Sequence, residues 1–361
     1  MGATPTQRER DYGPRRISVE LTNVCNLHCS YCLRDEDALY HTRASFFDVE
    51  LLGRILRGAR ESAGVTHVSF TGGEVTLHPR FGEVVGAVEA EGMTASFVTN
   101  GWHFDRVWPV LAARRGAVSH VAFSLDGATR EAHDRWRGEG SFVRLVRAFA
   151  RCREGGMPFN VKVALRRDTL PQLEQFALLA ARMGAAGLSF AHLLPTSGAA
   201  EDESALGPDE RAEAEREVAT LAAIFRMRVG VDVGYDNTDP APPCAPLAGA
   251  SCNVDYRGFL TLCCNLSGYR GAAGEGDVVA DLRAEPFAAA YERLRRVAGL
   301  QNERRARALQ DQAARGERPG PDTASPCVFC LHSFDKVPWR TPVAPPPRSL
   351  PVMQKEVVSR Q

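Results

Sequence analysis

From Arg15 to about Tyr235 the chain alternates between two hydrophobic textures. Short β-branched or apolar runs predict strands at Ile17 to Leu21, Thr66 to Phe70, Thr94 to Val98, Val118 to Ser124, Asn160 to Leu165 and Gly187 to Ala191. Between them, apolar positions recur every three to four residues near Asp48 to Ser62, Arg80 to Glu91, Phe104 to Arg114, Ser141 to Glu154, Thr169 to Met183 and Pro208 to Met227, which predicts helices. The stop and start signals agree: Asp168-Thr169 stands before Pro171 at one helix start, and Gly184 follows the end of that helix. Six consecutive βα units of this kind call for a parallel sheet with right-handed crossovers, either an open doubly wound sheet or a partial barrel.

After Asp236 the texture changes. NTDPAPPCAPLAG is rich in proline and turn formers, and Asn253 to Leu262 reads as a hairpin turning at Arg257-Gly258. Ala284 to Val297 has helical spacing, whereas Arg304 to Ser325, rich in Arg, Gln, Gly and Pro, is expected to be mobile. The expected organisation is a lead-in at 1–14, an α/β unit at 15–235, a smaller second unit at 236–340 and a Pro-rich tail at 341–361.

Composition narrows the partners more than the fold. With 361 residues, 44% hydrophobic and 24% charged, the chain can bury a large core, as one big domain or two unequal ones. Lys+Arg and Asp+Glu both total 44, so no global field draws nucleic acid or an anionic membrane. No apolar run approaches the roughly 20 residues of a membrane helix, and the first residues lack a secretory core, so a cytoplasmic protein without membrane or nucleic-acid partner is expected.

Ten cysteines in such a chain point to metal or redox chemistry, because cytosolic thiols stay reduced. Cys25, Cys29 and Cys32 cluster at the front, and Cys244, Cys252, Cys263, Cys264, Cys327 and Cys330 occupy the last third, which suggests two sites. Cys152, on a helical pattern, fits a small buried hydrophobe. The front trio follows the first strand directly, at the carboxyl end of the sheet where parallel folds bind ligands. Three thiolates on so tight a loop suit three irons of a [4Fe–4S] cube, leaving the fourth iron open to a chelating substrate. Structural zinc is the alternative; it needs a fourth ligand, for which His28 inside the loop is awkwardly placed.

Cys25-x3-Cys29-x2-Cys32 after a first strand resembles the signature of the radical S-adenosylmethionine (SAM) superfamily. The resemblance implies a partial (β/α)6 TIM-like barrel, an open iron that chelates the amino and carboxylate groups of SAM, and reductive cleavage to a 5′-deoxyadenosyl radical that takes a hydrogen atom from substrate. Phe70-Thr71-Gly72-Gly73-Glu74 is similar to the family's GGE motif, with Val75 where proline is more usual; its glycines would let backbone approach a ligand, and Glu74 would accept from the amine. Thr99-Asn100-Gly101 and Ser124-Leu125-Asp126-Gly127 resemble SAM-contacting stretches, their hydroxyls and carboxylate suited to the ribose and methionyl groups. Lys162 would pair with the methionyl carboxylate, and Tyr31 stands where relatives place an aromatic near adenine. An electron donor such as flavodoxin or ferredoxin is implied as a partner.

The later cysteines offer four thiolates around a Gly258-turned hairpin, Cys244, Cys263, Cys327 and Cys330, a set that suits zinc or a fully ligated [4Fe–4S] cluster by spacing alone. The segment resembles the twitch and SPASM auxiliary-cluster extensions of radical SAM enzymes, and six cysteines favour one cluster, the twitch form. Cys252 or Cys264 are alternatives to Cys244 or Cys263, and a spare thiol would be a hydrogen-atom donor candidate. The resemblance implies a radical SAM oxidoreductase that performs a two-electron oxidation of a natural-product intermediate, with His192, Tyr235 and Asp236 as candidates for the base. The 24 residues before Cys25 are short for a leader-binding module, which tilts the expectation towards a small substrate. Thioether formation, crosslinking or epimerisation of a ribosomal peptide is the alternative, and a non-catalytic iron–sulfur carrier is the third reading.

Overall fold

A computed structural model describes residues 15–34, 43–194, 204–267 and 275–337. The expected lead-in and Pro-rich tail lie outside them. The strands are β1 (Arg16–Glu20), β2 (His67–Thr71), β3 (Thr94–Thr99), β4 (Val118–Ser124), β5 (Phe159–Leu165), β6 (Gly187–His192), β7 (Arg228–Val233), β8 (Ser251–Val254), β9 (Phe259–Thr261) and β10 (Val278–Asp281). Helices α1 (Val49–Ala63), α2 (Phe81–Ala90), α3 (Phe104–Ala113), α4 (Arg130–Arg137), α5 (Ser141–Gly155), α6 (Leu173–Met183) and α7 (Pro208–Ile224) are interleaved with the first seven strands. The remainder is α8 (Cys264–Ser267), α9 (Phe287–Ala314), α10 (Pro321–Ala324) and α11 (Pro326–Ser333).

β1 to β7 are parallel and adjacent in chain order, the architecture of a partial TIM-like barrel. One strand more than expected is present: the helix before β7 stops at Ile224, and Arg228–Val233, alternating valine with Arg, Gly and Asp, pairs with β6. β8 pairs in parallel with the free side of β1, so the C-terminal hairpin continues the same sheet, whose edge strands are β7 and β10. Gly258 makes the hairpin turn at φ +93°, and Asp255 accepts the backbone N–H groups of Arg257 and Phe259 across it.

The period-two alternation sends the large apolar residues outward. Ile17, Val19, Val68, Phe70, Val121, Phe123, Phe159, Val161 and Phe190 are buried among the apolar residues of the surrounding helices. Phe104, Phe123, Phe149 and Phe159 form a chain of ring contacts 5.0–5.2 Å apart. The strands surround a cavity of about 430 Å³ whose lining mixes the charged and polar Arg16, His67, His120, Lys162, Arg228 and Asp232 with apolar residues such as Leu188 and Val229. A closed TIM barrel fills this space with branched apolar side chains; here it is open.

Two other elements depart from the sequence reading. α4 is short and polar, with His133 its one buried residue, so no apolar period announces it. α9 runs to Ala314, through residues expected to be mobile. Its buried stripe past Ala298 is Gln301, Arg305, Leu309 and Gln312, a helical spacing written mostly in polar residues.

Candidate metal centres

Cys25, Cys29 and Cys32 sit on the loop leaving β1, each partly exposed, with Cys32 N–H donating to the Cys29 carbonyl at 2.9 Å. The glycine pair after β2 fixes this loop. Gly73 N–H donates to Thr22 O and Glu74 N–H to Val24 O, both at 2.8 Å. A Cβ on Gly73 would stand 1.8 Å from Val24 O, and one on Gly72, at φ +131°, 2.5 Å from Thr22 O. The close approach for which these glycines are needed is thus to the cysteine loop's own backbone, where ligand backbone contact was expected.

Glu74 is buried and ties three elements together. Its Oε1 accepts from Thr76 N–H at 3.1 Å, Thr76 Oγ1 at 2.6 Å and Thr99 Oγ1 at 2.7 Å; its Oε2 accepts, among the described residues, only from Asn100 N–H, at 2.8 Å. An ionised carboxylate has about four acceptor positions, so the position still open is on Oε2. Thr99 Oγ1 also accepts from Gly101 N–H at 3.1 Å, which gives it a supporting place. Asn100 points the other way, its Nδ2 at 3.0 Å from Asn26 Oδ1 and 3.8 Å from Cys25 Sγ, as a donor towards the thiolate that metal binding would generate.

Tyr31 and Asp126 belong to a buried ionic cluster. Asp126 Oδ1 accepts from Arg166 Nη1 at 2.9 Å, and Oδ2 from Tyr31 OH at 2.5 Å and from Arg137 Nε. Arg166 lies over the rings of Tyr31 and Trp136, at 4.9 and 4.0 Å. Burial alone would push the Asp126 carboxyl up, but the Arg137 and Arg166 guanidiniums hold it well below the usual carboxylate range. Asp126 therefore braces Tyr31 and the two arginines, with both oxygens engaged. Ser124 is partly exposed, in register with Lys162. Lys162 itself ion-pairs with Asp232 and donates to Ser189 Oγ at 3.2 Å on the cavity wall.

Burial pushes the Cys25 thiol up to about 12 and also raises Cys29, so binding a metal centre here must drive the protons off. Among the described residues, no three His, Cys, Asp or Glu side chains converge as a single ion requires. The thiolates of a cube bind separate irons and stand further apart, which fits this trio. His28 is exposed.

The later cysteines divide five to one. Cys244, Cys327 and Cys330 act electrostatically on one another, as do Cys263, Cys264 and Cys327. Cys327 and Cys330 come from α11, Cys263 and Cys264 from the start of α8, and Cys244 from the turn before β8. Cys252 is excluded from the group: it lies on β8 in register with Ile17, 2% exposed in the apolar core beside Tyr291. Strand alternation puts its side chain on the same face as Ile17, in the apolar core. Cys252→Ala is expected to keep the wild-type iron content at a cost of about 1 kcal/mol; iron analysis and urea unfolding check both.

The proposed bases are engaged. His192 Nε2 meets Glu215 Oε1 at 2.9 Å under α7, Tyr235 OH donates to the Pro243 carbonyl, and Asp236 lies 4.0 Å from Arg211. Sequence reasoning missed Glu20 and Arg34. Glu20, buried at the end of β1, ion-pairs with Arg34 at 2.8 Å and accepts from Ser267 and, at 3.1 Å, from Asn253 Nδ2. Both Cys32 and Cys264 act on the Arg34 guanidinium, so this pair is within electrostatic reach of both thiol groups. An acid at the end of a first strand and a basic residue two positions past Cys32 are the only signals the sequence carries for it.

Residues 19–180 match the family model described as the Radical SAM superfamily. The mycofactocin maturase MftC of Mycobacterium tuberculosis is 36% identical over 180 residues, covering 48% of this chain and 43% of that protein. The PqqA peptide cyclase of Gluconobacter oxydans is 27% identical over 230 residues, 63% of this chain and 62% of that one. The chain spans about half the length of the curated relatives it matches first. Among solved structures, Streptococcus suis SuiB bound to precursor peptide SuiA superposes with a TM-score of 0.60 at 15% identity, over 77% of this chain and 66% of that one. No described helix is long and apolar enough to cross a membrane. The matched segment, a little under half of the chain, begins within β1 and takes in the cysteine loop, the Gly72-Gly73 turn and the Asp126 cluster, and over it the chain is similar to the radical SAM superfamily.

Proposed function

We propose that this chain is a radical SAM maturase acting on a ribosomally made peptide, with a [4Fe–4S] cluster on Cys25, Cys29 and Cys32 and a second on Cys244, Cys327, Cys330 and either Cys263 or Cys264. The observation that carries the reading is the cysteine loop pinned, backbone to backbone, by the Gly72-Gly73-Glu74 turn. When bound, the front cluster supplies the electron that splits SAM, and the resulting 5′-deoxyadenosyl radical abstracts a substrate hydrogen. The chain's residues position that event. Glu74 Oε2 offers an acceptor for the SAM amine, Asn100 supports the Cys25 thiolate, and the Asp126 cluster holds Tyr31 beside the loop.

The peptide reading draws on the names of the relatives, one of which is a maturase, one a peptide cyclase and one solved with a bound precursor peptide. The cavity between the strands is lined by Arg16, His67 and Arg228, the first residues of β1, β2 and β7, at the end of the sheet opposite the cysteine loop, so the peptide reading does not rest on it. The finer reading is a net two-electron oxidation, for which a cluster held by Cys244, Cys327 and Cys330 would supply an electron acceptor and a flavodoxin or ferredoxin would be the external reductant.

Anaerobically reconstituted protein given SAM and dithionite is expected to form 5′-deoxyadenosine and methionine, and the Cys25→Ala/Cys29→Ala/Cys32→Ala variant to form neither above background. With a short precursor peptide encoded beside the gene, mass spectrometry should show the loss of two hydrogens. An unchanged peptide mass with turnover of a small metabolite would move the substrate class, and absence of 5′-deoxyadenosine would sink the chemistry.

A further inference from the structure

Arg305 is fully buried on α9. Its Nη1 donates to the Asp239 carbonyl at 3.0 Å, its Nη2 to the carbonyls of Asn237 and, at 3.5 Å, Ala324, and its Nε finds no partner among the described residues. No carboxylate among the described residues pairs with it. Asp239 turns its side chain to the N–H of Ala241, at 2.8 Å. One turn earlier on the same buried stripe, Gln301 donates from Nε2 to Cys330 Sγ at 3.7 Å. The ionisable groups that act on Arg305 include Cys330 and Cys244.

A guanidinium taken out of water loses several kcal/mol of hydration, and carbonyl dipoles repay only part of it. Buried cations are ordinarily paired. Among the described residues, Arg166 is as inaccessible and has Asp126 and Asp168, and Arg137, slightly more exposed, has Asp126. The groups that act on Arg305 through space are the Cys330 and Cys244 thiols, the Tyr235 hydroxyl and the Asp239 carboxyl, and of these the thiols are neutral while protonated and would be anionic once they hold a metal cluster.

We propose that Arg305 is the built-in counter-charge of the C-terminal cluster, a positioning residue that favours the more anionic, reduced state and so raises the cluster's midpoint potential. This rests on the reading of Cys244, Cys327 and Cys330 as cluster ligands. On reduction the cluster gains one electron, supplied by dithionite or a protein donor, and one unit of negative charge, with no bond made or broken. A fixed positive charge in a low-dielectric site stabilises that added charge more than the oxidised form. The same residue makes an opposite contribution before loading, because in the metal-free chain its charge is uncompensated.

The test uses the full chain with Cys25, Cys29 and Cys32 replaced by alanine, so that only the C-terminal cluster can load. Iron analysis and EPR-monitored potentiometric titration are run on this protein and on its Arg305→Gln and Arg305→Lys versions, with thermal unfolding before and after reconstitution. Arg305→Gln is expected to shift the reduction equilibrium about tenfold towards the oxidised form, about 59 mV for a one-electron couple. Arg305→Lys should keep most of the parent potential. Arg305→Gln should also raise the unfolding temperature of the metal-free chain and shrink its gain on loading. An Arg305→Gln cluster of unchanged potential overturns the proposal while leaving the ligand reading intact. Loss of the cluster in Arg305→Gln alone supports a need for charge, whereas loss in both variants assigns Arg305 to packing and overturns it. If the parent triple variant binds no iron, the ligand reading fails and this inference with it.

Discussion

Gly73→Ala is expected to empty the N-terminal iron site while leaving the C-terminal one loaded, and to lower SAM cleavage by about 10²-fold or more. The added Cβ would lie 1.8 Å from Val24 O and 2.3 Å from Val24 C, where real Cβ atoms essentially never come within 3.0 Å. Backbone cannot rotate away as a side chain does, so the strand-end loop must retreat by more than an ångström. That movement breaks the Gly73 to Thr22 and Glu74 to Val24 hydrogen bonds and carries off Cys25, the very next residue. Gly82→Ala is the matched control: its Cβ would meet only Val110 Cγ2, at 3.5 Å, inside α2. There alanine should be neutral or slightly stabilising, because it restricts the unfolded chain. Iron content by colorimetry and 5′-deoxyadenosine by chromatography read both variants. A fully loaded, active Gly73→Ala protein would mean that the turn does not hold the loop.

This loop shows how unevenly the sequence records the site. Cys25, Cys29 and Cys32 are legible because metal chemistry demands rare residues at fixed spacing, and the glycine pair because positive φ and close packing leave no substitute. The direction of the close approach is not legible: a glycine pair after a strand suits a ligand or another backbone equally well, and only the register of β1 against β2 shows which. The strands that face a core on one side announced themselves by apolar residues, whereas β7 and α4 did not. Along β7, Arg228, Gly230 and Asp232 line the cavity and interrupt the apolar run, and His133 is the one buried residue of α4. α9 shows the same effect at the second site. Its buried face carries Gln301, Arg305 and Gln312 because what it covers is a set of thiols and carbonyls, so the helical period is present in burial and absent in hydropathy. Glu20 and Arg34 lie beyond any local pattern, since the partners that give them meaning, Asn253 and Ser267, are more than 200 residues away.

Asp126→Asn should be the most costly isosteric change in the molecule. It keeps the shape but leaves Arg166, 0% exposed, and Arg137, 10% exposed, without the charge they share. Breaking a buried pair by removing one partner costs about 3–5 kcal/mol, and the retained bond from Arg166 Nε to Asp168 at 2.9 Å argues for a value near 3. Tyr31, whose hydroxyl donates to Asp126 and accepts from Arg137 Nη2 at 2.8 Å, loses its anchor beside Cys32, so SAM cleavage should fall together with stability. The pH dependence separates charge from shape. The Asp126 carboxyl sits well below its unfolded value of about 3.9, so the folded state binds this proton less readily than the unfolded chain does. The wild-type advantage over Asp126→Asn is therefore complete at neutral pH, holds down to about pH 5, and drains away as the pH falls below about 4 towards the depressed folded value. Urea midpoints of the two metal-free full-length chains, read by fluorescence of Trp136, which stacks on Arg166 and donates to Asp168 at 2.6 Å, should differ widely at pH 7 and converge in acid. A gap that stays constant down to acid pH would show that the asparagine disturbs packing and that the carboxylate charge does not hold this cluster together.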